Sequence, residues 1–217
     1  LESNLVLKLL GYQANRTIKA VFVGPSGVGK TTLLSVMLHI YDAKKGGAFV
    51  LECKDKELYK ELGEAWDKSV KKFEEKAGFV KMDPMLEGSR QIVKYPFLIR
   101  DSKGDLCNLE LVDTRGGSIK DQDPEFLEII RDADIIINPV NSVFMHEPQN
   151  DPTFASRTGE TNWHEKENFP GIITNLLKGT LNNQKKRLII FVLTKSEKYM
   201  KTDKTITSLM NSFEKMH

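Results

Sequence analysis

The run Gly24-Pro25-Ser26-Gly27-Val28-Gly29-Lys30-Thr31 constrains what this chain can fold into more than any other stretch. It matches G-x-x-x-x-G-K-[ST] in full. It stands between Ile18 to Val23, a compact β-branched and apolar run, and Thr31 to Tyr41, whose apolar positions recur at helical spacing. Strand, glycine-rich turn and helix in that order build an anion cradle. Glycines let successive backbone N–H groups turn inward around a phosphate, the helix beginning near Gly29 adds the positive end of its dipole, and Lys30 adds a mobile cation. Thr31 offers a hydroxyl to Mg2+. The run therefore predicts that Gly24 to Thr32 grip the phosphates of a Mg2+–nucleoside triphosphate. An ordinary glycine turn would need neither the strand before it nor the helix after it.

The same alternation recurs along the chain. Leu109 to Val112 reads as a strand, Pro124 to Asp132 as a helix, Ile135 to Val140 as a strand, Phe169 to Leu181 as a helix and Arg187 to Thr194 as a strand, with a further strand over Gln91 to Ile99. Buried apolar strands alternating with helices predict an α/β fold. Together with the cradle, the alternation leads to the expectation of the three-layer P-loop NTPase fold, a mostly parallel sheet with helices on both faces. At 217 residues the chain suits one domain carrying insertions, so residues 1–217 are expected to form a single domain. Two segments break the rhythm. Over about 55–78, Leu58, Leu62, Trp66, Val70, Phe73 and Ala77 share one helical face, which predicts an inserted amphipathic helix packed on the core in preference to a partner-binding helix. The segment at about 141–168 is polar, turn-rich and aperiodic, a long loop that is either functional or mobile.

The cradle alone does not choose among nucleotide-dependent enzymes; residues downstream do. Leu109-Glu110-Leu111-Val112-Asp113-Thr114-Arg115-Gly116-Gly117 is an apolar strand ending in Asp-x-x-Gly. It would place the Asp113 carboxylate beside the cradle to hold a water on Mg2+, and let Gly116 present its N–H to the γ-phosphate. Later, Leu188 to Leu193 runs into Thr194-Lys195-Ser196-Glu197. In the order and spacing of these motifs, across roughly residues 18 to 200, the chain resembles the translation-factor-related (TRAFAC-like) P-loop GTPases, whose base-reading motif is Asn/Thr-Lys-x-Asp after such a strand. The resemblance implies a GTP-binding and GTP-hydrolysing switch acting on a protein effector or regulator, with Mg2+ and GTP as cofactors. It implies that Thr194 and Lys195 shape the base pocket. Glu197 stands where the family has an aspartate that accepts two hydrogen bonds from guanine. Glutamate carries the same acceptor pair on a longer stem, and Obg-like ATPases carry a glutamate there, so ATP stands as the alternative nucleotide.

Further departures bear on catalysis. Gly117 stands where these GTPases place a glutamine that orients the attacking water, which predicts slow intrinsic hydrolysis, or a nucleotide-binding interaction module with negligible turnover. Arg115 could reach the γ-phosphate as an internal cation or pair with a nearby carboxylate. No threonine occurs between Thr32 and Thr114 to close over Mg2+. That leaves Ser89, in Gly88-Ser89-Arg90, as the substitute metal ligand or as a plain turn serine. The family's closing Ser-Ala-Lys-like loop is not recognisable before the helix-like stretch Lys204 to Met216.

Other classes fit less well. Guanylate kinases open on a similar Gly-Pro-Ser-Gly-x-Gly-Lys loop, but neither the arginine-rich lid nor the acceptor site they need is clear after it. ABC-type ATPases share the loop, but Leu-Ser-Gly-Gly occurs nowhere in the chain. A formal charge of +2, with basic residues dispersed among acids, offers no nucleic-acid reader. Apolar stretches such as Ile135 to Ile137 and Leu188 to Leu193 are too short to span a bilayer, and residues 1–15 show no signal-peptide pattern. Two cysteines, Cys53 and Cys107, are too few for a disulfide-stapled secreted domain, so a cytoplasmic protein is expected.

Overall fold

β1 (Thr17–Phe22) is buried from both sides, and the pleat of the strand explains how. Side chains alternate across a strand, so Ile18, Ala20 and Phe22 enter one core cluster while Val21, and Val23 just beyond the strand, enter another. The computed structural model of the chain describes residues 17–25, 27–41, 49–76, 91–101, 104–114, 123–142 and 185–194. Around β1 these form α1 (Lys30–Ile40), β2 (Phe49–Cys53), α2 (Lys56–Lys76), β3 (Val93–Asp101), β4 (Gly104–Asp113), α3 (Pro124–Asp132), β5 (Ile135–Asn141) and β6 (Leu188–Thr194).

The sheet has six strands in the order β2-β3-β4-β1-β5-β6. β1 pairs in parallel with β4 and with β5, and β5 in parallel with β6, whereas β3 runs antiparallel to both β2 and β4. The α/β architecture read from the alternation of elements is present, with helices on both faces. Leu34 and Leu38 of α1 and Leu62 of α2 close one core; Phe126 and Ile130 of α3 close the other. Burying side chains of this size contributes ~2 kcal/mol each. The antiparallel strand has a local cause. Asp101 pairs with Gly104, so short a connection can only reverse the chain, and Gly104 adopts a φ of 129° that penalises any side chain.

β2 has no counterpart among the strands expected from the sequence. It is a five-residue edge strand, and its pairing with β3 holds it in place. Pro96 lies within β3, yet the ladder to β4 loses nothing. Its carbonyl accepts from Lys54 N at 2.8 Å, so its imide nitrogen also faces the β2 side, just past the end of that strand.

α2 starts where the Asp55 carboxylate accepts from the amides of Glu57 at 2.9 Å and Leu58 at 3.1 Å. Of its apolar stripe, Leu62 is buried, Leu58 packs against the same core, and Trp66 stacks on His39 of α1 with ring centroids 4.3 Å apart. The side chains of Val70 and Phe73, as well as Ala77, lie outside the described residues, as do the stretches Phe169 to Leu181 and Lys204 to Met216 and most of the polar loop at about 141–168. No helix among the described residues is long and apolar enough to cross a membrane.

Candidate nucleotide-binding site

Parallel strands bring their C-terminal ends to one end of the sheet, where the loops of an α/β fold assemble ligand sites. β1 leads into Gly24 and Pro25, β4 ends on Asp113, β5 leads into Ser142 and β6 ends on Thr194.

The turn from β1 into α1 contains Gly27 at φ 72° and Gly29 at φ 98°, conformations that L side chains rarely adopt. Gly24 is required for a different reason: a Cβ there would stand 3.1 Å from Val28 Cγ1 and 3.4 Å from Pro139 O. Gly29 is the N-cap of α1, so no side chain caps the helix, and its first turn carries no acidic residue. The positive end of the dipole thus faces the loop with no acidic residue in the helix's own first turn to neutralise it, an arrangement that attracts an anion.

Lys30 is 5% exposed, and its Nζ donates to Gly24 O at 2.7 Å and to Pro25 O at 2.8 Å. The ammonium closes the loop onto itself. Burial pushes its pKa down to about 8, against the pull of the Asp113 charge. Thr31 Oγ1 donates to Asp113 Oδ2 at 2.6 Å, and Ser35 Oγ donates to Thr31 O at 3.0 Å. Burial pushes the Asp113 carboxyl up, opposed by the Thr31 hydrogen bond and the Lys30 charge. Its other oxygen, Oδ1, is buried with no partner among the described residues. Such an orphan costs ~1–3 kcal/mol and more when charged, a cost that a cation or a bound water reaching it would offset. A hydroxyl beside a carboxylate supplies hard oxygen donors of the kind Mg2+ takes together with waters and phosphate oxygens. Among the described residues no group of three or more His, Cys, Asp or Glu could hold a metal.

Hydrogen bonds knit the neighbouring strand ends to the cradle. Thr114 Oγ1 donates to Phe22 O at 2.6 Å. Thr194 Oγ1 lies 2.9 Å from Val28 O and 3.2 Å from Val140 O, while its carbonyl accepts from Ser142 N at 3.0 Å and Ser142 Oγ at 2.9 Å. The end of β6 is thereby tied both to the glycine turn and to the end of β5.

Of the residues expected from the sequence, Gly24, Pro25, Gly27, Val28, Gly29, Lys30, Thr31, Asp113 and Thr194 meet at this end of the sheet, with Thr32 next along α1. Ser26, Ser89, Arg115, Gly116, Lys195 and Glu197 lie outside the described residues. The sequence reading missed Ser35, Thr114 and Asn138. For Asn138 a signal existed, because Pro139 within a central strand removes a ladder donor that something else must replace.

Fold and cradle together define a P-loop nucleoside triphosphatase. The profile of the family described as ABC transporter matches residues 7–136, well over half of the chain, and the chain belongs to this family of P-loop ATPases. No curated protein matches the chain. The family match reverses the ranking that the missing Leu-Ser-Gly-Gly had set between ABC ATPases and translation-factor-related GTPases. The reason lies in what each comparison covers. The matched span holds the cradle and the Asp113 strand, whereas Thr194, Lys195 and Glu197, on which the GTPase resemblance leaned, fall beyond it.

Proposed function

We propose that the chain binds a Mg2+–nucleoside triphosphate between Gly24 and Thr32 and hydrolyses it slowly, with ATP as the nucleotide. The observation that carries this reading is Lys30, a buried ammonium folded onto two carbonyls of its own loop beside an uncapped helix start. In this reading Lys30 exchanges the carbonyls of Gly24 and Pro25 for outer phosphate oxygens, while the amides of the glycine turn and of Thr31 and Thr32 surround the β-phosphate. Thr31 and Asp113 hold the metal, with Ser89 as a further ligand. Mg2+, when bound, neutralises charge between the outer phosphates. Gly116 presents its N–H to the γ-phosphate and Arg115 adds a cation, so the stretch after Asp113 responds to the loss of that phosphate and signals it to a protein effector. Family membership supports ATP, and Gly117 supports slow turnover.

A second reading, GTP as the nucleotide, draws support from the contact of Thr194 with Val28, which puts the first residue of Thr194-Lys195-x-Glu197 against the cradle. Titrating the protein with MgATP, MgGTP and both diphosphates, followed by single-turnover hydrolysis, separates the readings, with Glu197→Asp as control. Preferential MgATP binding with slow product formation supports the first. Uptake of MgGTP alone replaces ATP by GTP. Uptake of neither at millimolar concentration with Mg2+ present sinks both.

A further inference from the structure

β5 carries a proline where a central strand should donate a hydrogen bond. Ala20, Val21 and Phe22 of β1 stand opposite Ile135, Ile136 and Ile137 of β5, and the next bond in the parallel ladder runs from Val23 N to Ile137 O at 2.8 Å. In that register Val23 O would accept from the backbone N–H of residue 139. Residue 139 is proline and has none. Asn138 supplies the donor instead, its Nδ2 reaching Val23 O at 2.6 Å.

This substitution is costly as a matter of stability. The Asn138 side chain is buried, and its Oδ1 has no partner among the described residues. A backbone N–H at position 139 would make the same bond without stranding an acceptor. What the Asn-Pro pair provides is an end to the ladder at the point where the cradle begins. Pro139 O would lie 3.4 Å and Asn138 Nδ2 3.8 Å from a Cβ on Gly24, so both pack against its backbone, and Gly24 O is one of the two carbonyls held by Lys30.

We propose that Asn138 is a positioning residue for nucleotide binding: by holding Val23 O in place of the bond Pro139 cannot make, it sets where β1 stops and the phosphate cradle starts. The proposal rests on the nucleotide reading above. Its test is a double-mutant cycle of Asn138→Ala and Pro139→Ala, read by MgATP and MgGTP affinity and by thermal unfolding. Asn138→Ala should weaken binding about tenfold, the loss expected when a buried carbonyl is left unpaired. Pro139→Ala restores a backbone donor, so the double variant should recover affinity to within about twofold of Pro139→Ala alone. Wild-type affinity in Asn138→Ala overturns the proposal, and so does a loss that Pro139→Ala fails to rescue. Should Asn138→Ala not fold, the double variant against Pro139→Ala carries the test: equal affinities support the clamp and a tenfold gap overturns it. A wild type that takes up neither nucleotide removes the functional reading itself and the positioning role with it, while coupling between the two positions in thermal unfolding still reports the hydrogen-bond exchange.

Discussion

The two ends of the sheet treat polar groups in opposite ways. Where β5 begins and α3 ends, charges find partners. Lys185 Nζ pairs with Asp134 Oδ1 at 2.8 Å, Asp134 Oδ2 accepts from Lys19 N at 2.9 Å, and Lys19 pairs with Asp132. Arg187 reaches Arg131 O at 2.6 Å and Ala133 O at 3.2 Å, so the last carbonyls of α3 meet cations. The start of α3, at the far end of that helix, is capped by Asp123, which accepts from Glu125 N. At the other end α1 starts on a glycine, Lys30 lies on backbone carbonyls, and two buried oxygens, Asp113 Oδ1 and Asn138 Oδ1, lack partners among the described residues. Paired charge marks the end that holds the fold; stranded acceptors and an uncapped helix mark the end kept for a ligand.

Substitutions at the two ends should therefore separate binding from stability. The largest effect is expected for Lys30→Ala, which should lower MgATP affinity on the order of 100-fold by isothermal titration calorimetry, because it deletes a cation from a dry, partnered site. The melting temperature of the nucleotide-free protein should move by only a few degrees. If affinity survived, the contrast between the ends would break. Arg187→Ala should do the reverse. Losing its bonds to the end of α3 should cost about 2 kcal/mol, read as a fall in melting temperature of roughly 4–8 °C, with affinity within twofold of wild type.

Acidity offers a third lever. The Lys30 amine of the free protein titrates near 8, below its ordinary value of 10.5, because burial disfavours the charged form. Phosphate favours that charged form, so the bound pKa lies higher and binding takes up a proton above pH 8. Affinity should hold from pH 6.5 to about 8 and then fall by up to about tenfold per pH unit, and calorimetry in buffers of different ionisation enthalpy should show the proton uptake. A flat profile through pH 9.5 would mean that Lys30 does not meet the phosphate. The smallest effect is expected for Asp123→Ala, which should cost about 1 kcal/mol in denaturant unfolding through the lost cap and leave nucleotide affinity unchanged.

Much of the fold was legible in local patterns. The helix expected over Pro124 to Asp132 coincides with α3, whose start carries both a capping aspartate and a proline at its first position. The strands expected around Ile18, Leu109, Ile135 and Leu188 are β1, β4, β5 and β6 with boundaries shifted by a few residues. β2 escaped because five residues without clear alternation carry too little periodicity to declare a strand. In the site, the cradle could be read because its chemistry depends on consecutive residues. The sequence also placed Asp113 beside the cradle, and Pro139 signalled a missing donor. The direct Thr31 to Asp113 bond, the contact of Thr194 with Val28 and the choice of Asn138 as the replacement each join elements far apart in the chain and were not legible.

The sequence by itself determined that a strand, a glycine turn and a helix would form a phosphate cradle, because glycine φ freedom, apolar period and a lysine at fixed spacing are properties of neighbouring residues. Tertiary structure alone decided the parallel pairing of β4 with β1 that turns the expected nearness of Asp113 into a hydrogen bond from Thr31. It also decided that β5 lies on the other side, where Pro139 withholds a bond and Asn138 replaces it. The physical reason is that strand order and register follow from the joint burial of apolar faces contributed by separate elements, and no single segment encodes that sum.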